Sequence, residues 1–82
     1  ITVAAIDPAS GAMDASHDEA QVARAMIGNA RSLTVLADAT KFGRHAAFAV
    51  CTCAEIDLII SDGQLDKGHK EALTNMGVEV WH

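Results

Sequence analysis

The chain has 82 residues, half of them apolar but only 4% aromatic, and carries six Lys and Arg against eleven Asp and Glu for a formal net charge of −5. A chain this short suits one small domain whose core of small aliphatic side chains buries roughly 60–65% of the unfolded surface, so help from a partner surface is expected. The acidic balance excludes DNA binding by this chain alone, and neither an apolar run of roughly 18 residues nor a secretory signal is present, so no membrane is expected and the cytoplasm is the expected compartment.

Ile1-Thr-Val-Ala-Ala-Ile6 reads as an apolar strand with no polar lead-in, as if the chain were part of something longer, because natural boundaries usually fall in polar linkers. The strand ends at Asp7-Pro8, and the Ser10-Gly11 pair predicts a turn or loop to about residue 15. Ser16-His-Asp-Glu19 fits a capping box, which predicts a helix from there. Its apolar face would be Val22, Ala23, Met26, Ile27 and Ala30, with Asp18 and Glu19 in the first turn and Arg31 near the last.

Residues 33–37 read as a short buried strand rich in β-branched and aliphatic side chains. The apolar run then stops in Asp38-Ala-Thr40-Lys41, and a turn is expected at Phe42-Gly43. Ala46–Cys51 is apolar without clear alternation and reads as a short strand, and Ile56–Ile60 as another, closed by Ser61-Asp62-Gly63. Leu65, His69, Ala72, Leu73 and Met76 share one face of a second helix, with Asp66 near its start and Gly77 placed to cap its end. Val78-Glu-Val-Trp81 finishes as a strand, with Trp81 and Phe48 expected in the core. This alternation predicts an α/β fold, a mostly parallel sheet with right-handed crossovers and flanking helices, in a single domain over residues 1–82.

Asp38, Thr40 and Lys41 follow a strand's carboxyl end, where open α/β sheets bind ligands, and a lysine beside a hydroxyl and free amides suits an anion such as phosphate. On spacing alone, a polar turn with a solvated lysine is the simpler account. An enzyme would use Asp7, Asp38 and Lys41 to move a proton beside a carbonyl. The same three residues could make the acidic pocket of a phosphoacceptor domain, but that needs paired acids after the first strand, where only Asp7 stands. No glycine-rich nucleotide loop occurs. Cys51-Thr-Cys53 is too closely spaced for an unstrained disulfide, and neither it nor His17, His45, His69 and His82 has metal-site spacing, so free buried thiols, no metal and no cofactor are expected.

Three segments together resemble the effector-sensing domain of DeoR-family transcriptional repressors. They are Glu19-Ala-Gln-Val-Ala-Arg-Ala-Met-Ile27, Leu36-Ala-Asp-Ala-Thr-Lys-Phe-Gly-Arg44 and Glu55-Ile-Asp-Leu-Ile-Ile-Ser-Asp62, with Gly77-Val-Glu-Val80 in support. The second is the specific one. The resemblance implies a Rossmann-like domain similar to ribose-5-phosphate isomerase and glucosamine-6-phosphate deaminase, which binds a phosphorylated sugar or related metabolite without turning it over. It implies an effector site at Lys41, Asp38, Thr40, Asp7 and Gly43, and a homo-oligomer. It implies DNA contact only through an amino-terminal helix-turn-helix absent from this chain, which would then be the carboxyl-terminal half of the sensor.

The chain departs from that pattern at Ala4 and Ala5, where the first loop usually has an acid and a glycine, at Ala39, where a serine is usual, and at Ala23, where a lysine is common. A fragment of a sugar-phosphate isomerase-like enzyme is the alternative. The Lys-Phe-Gly context and the loss of the loop's acid at Ala4 favour the regulator.

Overall fold

The computed structural model describes residues 1–82. In chain order its elements are β1 (Ala5–Asp7), β2 (Gly11–Asp14), α1 (His17–Gly28), β3 (Thr34–Leu36), β4 (Phe48–Cys51), β5 (Leu58–Ile60), α2 (Lys67–Asn75) and β6 (Glu79–Trp81), with 3-10 turns at Ala39–Lys41 and Cys53–Glu55. The α/β class is as predicted, but the single, mostly parallel sheet is not. Two three-stranded sheets form instead: β3-β5-β6 is parallel, whereas β1-β2-β4 is antiparallel throughout.

The antiparallel sheet originates in the segment expected to be a loop. Asp7 closes a tight hairpin, its carboxylate accepting from the amides of Ala9 at 3.1 Å and Ser10 at 3.0 Å. Gly11, at φ +81°, supplies the left-handed residue that a three-residue hairpin loop requires. It also lies against β4 so closely that a Cβ there would sit 2.0 Å from the Cys51 carbonyl oxygen. The chain therefore returns antiparallel, as β2, which is buried along its whole length. Short apolar stretches such as Ala12-Met13 have too little periodicity to be distinguished from a loop between turn residues.

The expected first strand is shared between the sheets. The Ile1 carbonyl accepts from Leu36 at 2.7 Å and Thr2 bridges Leu36 in parallel, extending the parallel sheet beyond β3. Ala5–Asp7 then joins the antiparallel sheet. In the parallel sheet the pairs Thr34–Leu58, Val35–Ile59 and Leu36–Ile60 are in direct register, which brings the carboxyl ends of β3 and β5 side by side.

α1 begins where expected, with the Ser16 hydroxyl accepting from the Glu19 amide at 3.3 Å, although only this serine half of the capping box forms. Its buried face matches the predicted one only in part, at Ala23 and at Ile27, which is partly buried against the core. Ala20 and Ala23 are buried, whereas Val22 is 60% and Met26 56% exposed and Ala30 lies outside the helix. The helix packs mainly against β2 and β4, where Ala20 and Ala23 are its buried residues. Arg24 locks this arrangement by donating to the Ala49 carbonyl on β4. Arg31 lies beyond the helix end, and the last turn holds no basic residue.

α2 packs against β6 with Leu73 buried, and Leu65, expected on the same helical face, is buried but precedes the helix. Its end is a Schellman closure, in which Val78 donates to the Leu73 carbonyl at 3.1 Å and Gly77, at φ +87°, donates to Thr74 at 3.0 Å. Met76, predicted on its buried face, is 45% exposed. The core runs through both sheets, with Ile6, Val35, Ile59 and Leu73 inaccessible. Phe48 is half-buried against that core, whereas Trp81, expected within it, is 54% exposed because β6 is an edge strand.

Candidate functional site

β3 delivers the chain to Asp38, whose side chain shapes the turn after it. Its carboxylate accepts from the Thr40 amide at 2.9 Å and from the Thr40 hydroxyl, which nucleates the 3-10 turn Ala39–Lys41. The Thr40 hydroxyl, then the Thr40 amide, hold the Asp38 carboxyl below its ordinary range against a smaller opposing effect of desolvation, with Lys41 and Arg44 adding favourable charge. Asp38 is therefore ionised at neutral pH. From the end of the neighbouring strand, Asp62 accepts from Ala39 at 3.4 Å and from Gln64 at 3.0 Å, tying the two strand ends together.

Between these ends lies a depression of about 410 Å³, lined by Thr2, Val3, Leu36, Ala37, Asp38, Lys41, Ile60, Ser61 and Asp62. Lys41 is half-buried and has neither an ion pair nor a side-chain hydrogen bond within the chain. The Ser61 hydroxyl oxygen is buried and likewise has no partner. A larger depression of about 500 Å³ lies along α1, bounded by Ile1, Asp14, Asp18, Glu19, Val22 and Met26, and offers no basic side chain for an anion.

Asp38 and Lys41 thus meet at one depression, while Thr40, Gly43 and Asp7 do not line it. Thr40 acts through Asp38. Gly43, at φ +77°, ends the loop, donating to the Ile6 carbonyl at 2.8 Å, and a Cβ there would be 3.0 Å from the His69 ring nitrogen Nε2. That imidazole also stacks on Phe42 with ring centroids 6.1 Å apart, so α2 braces the Lys41 loop from behind. Asp7 spends its carboxylate on the hairpin and lies 3.8 Å from His45 Nε2. Thr2, Ser61 and Asp62 also line the depression and His69 braces its loop, although sequence reasoning does not select them as site residues. A Ser-Asp pair at the end of an apolar strand is a signal for two of them.

The thiols are poor nucleophiles. Burial, then the Glu55 charge, pushes Cys51 up to about 11, and burial followed by the Asp7 charge raises Cys53. Both are free and buried, as expected. No helix is long and apolar enough to cross a membrane.

Residues 1–63 match the family described as the DeoR C terminal sensor domain. The chain is also 36% identical over 76 residues to the HTH-type transcriptional regulator GlpR of Haloferax volcanii, a match covering 93% of this chain and 30% of that protein. The chain thus spans less than a third of the length of this relative. The family match runs from Ile1 through the Lys41 loop to Gly63, so it contains both strand ends that frame the depression, and it is a match to a regulator's sensing domain, not to an enzyme. The chain belongs to the DeoR family, as its C-terminal sensor domain.

Proposed function

We propose that this chain is the effector-binding part of a transcriptional repressor of sugar metabolism and that it senses a phosphorylated sugar or related metabolite. The observation that carries the reading is Lys41, a half-buried cation with no partner of its own, facing a depression at the carboxyl ends of two parallel strands. A phosphate would supply the missing counter-charge through charge-assisted hydrogen bonds. Asp38, ionised and fixed by Thr40, suits a sugar hydroxyl as an acceptor, and Gly43 and Asp7 shape the loop and hairpin around it.

In this reading residues 1–82 are one part of the sensor, in a cytoplasmic protein that reaches DNA through a separate domain and works as a homo-oligomer. The relative's printed name, an HTH-type regulator, supports the separate DNA-binding domain. No cofactor or metal takes part. In the intact regulator, Lys41→Ala is expected to raise the sugar-phosphate concentration that releases operator DNA about ten- to a hundred-fold, the worth of a hydrogen bond to a charged group. Release at the unchanged concentration overturns the role of Lys41.

A further inference from the structure

Ser61 is the one residue of the chain whose side chain holds a buried polar atom without a hydrogen-bond partner. Such atoms are rare in folded proteins because a buried hydroxyl has given up water and received nothing in return. Its position is informative. Ser61 follows β5, the central strand of the parallel sheet, and lines the same depression as Lys41. The Ser61 backbone is already fixed, its amide donating to the Trp81 carbonyl at 2.7 Å, so the hydroxyl is held there by the sheet and not by a contact of its own.

Among the residues lining the depression, Asp38 and Asp62 are carboxylates. Lys41 is the one cation lining it, so a phosphate belongs with Lys41, which leaves a neutral hydroxyl-bearing group of the same ligand for the uncharged Ser61. The volume of about 410 Å³ is near the lower end of ligand pockets, which suits a monosaccharide phosphate better than a dinucleotide. We infer that Ser61 is a specificity-determining residue of the effector site, hydrogen-bonding a hydroxyl of the polyol part of the ligand while Lys41 holds its phosphate. This rests on the reading of the depression as the effector site.

The test separates the two claims by probe and by variant. The intact regulator is titrated with fructose 6-phosphate and with inorganic phosphate, with binding read by calorimetry, and its urea midpoint is measured without ligand. Ser61→Ala is expected to weaken fructose 6-phosphate binding about ten-fold, to leave inorganic phosphate unchanged, and to leave the urea midpoint equal to or above wild type, because an unpartnered hydroxyl is removed. A merely structural serine gives the opposite pattern: a lower midpoint with unchanged binding of the sugar phosphate, which overturns the inference. Lys41→Ala is expected to weaken both probes. If it weakens neither, or if the intact wild-type regulator responds to neither, the effector site itself is wrong, whereas failure of Ser61→Ala alone removes only the polyol contact.

Discussion

Asp14 shows how a single residue can work against the fold that holds it. It is the last residue of β2, only 7% exposed, and no basic side chain pairs with it. Burial, then the Glu19 charge, raises its carboxyl above the ordinary 3.8, with the Ala4 amide partly opposing. The folded chain binds this proton more tightly than the unfolded chain, so the ionised carboxylate costs stability above its folded pKa, and the cost fades as pH falls through that value and vanishes below 3.8. Asp14→Asn is therefore expected to be more stable than wild type at pH 7, with the difference shrinking as pH falls towards 3.8. Urea midpoints of the two proteins across that range measure it, and a difference independent of pH would show that the carboxylate is not the cause.

Among the elements, the two helix ends contrast in what glycine does. Gly28 closes α1 with ordinary helical backbone and open space where a Cβ would go. Gly77, just past α2, has equally open space but a φ of +87°. Gly28→Ala is expected to stabilise the chain by about 0.5 kcal/mol through helix propensity and a less flexible unfolded state. Gly77→Ala should cost about 1–2 kcal/mol because the left-handed backbone brings Cβ against the following carbonyl. Equal effects in chemical denaturation would contradict the Schellman closure of α2. The same contrast explains which boundaries can be read from sequence. Gly77 is legible as a cap because its chemistry is local, as is the Ser16 start of α1. The face that α1 buries is not, because the partner is a sheet whose second strand lies hidden in an apparent loop.

For the whole molecule, the apolar stripe predicted on α1 is only partly absorbed by the core, and Val22 and Met26 stay on the surface beside a depression along the helix. This face is where the proposed self-association is best placed. Val22→Lys combined with Met26→Lys should change folding stability by no more than about 0.5 kcal/mol, since neither side chain is in the core. Sedimentation at rising concentration should show that self-association is lost, and unaltered association would place the oligomer contact elsewhere.

By itself, the sequence determined the features that depend on neighbours along the chain. These are the α/β class, most of the strands and both helices, the buried thiols, and the Asp38-to-Gly43 loop that identifies the family, because caps, turns and strand runs are written in residues a few positions apart. Only the tertiary structure decided that two sheets form in place of one, since the Gly11 backbone folds the first strand back on itself against Cys51. It also decided which polar residues share a depression. Asp7 is only four residues from Gly11 and stays with the hairpin, whereas Ser61, twenty residues beyond Lys41, lines the same depression as that lysine. That juxtaposition comes from the register of β3 against β5, a long-range pairing that no local spacing encodes.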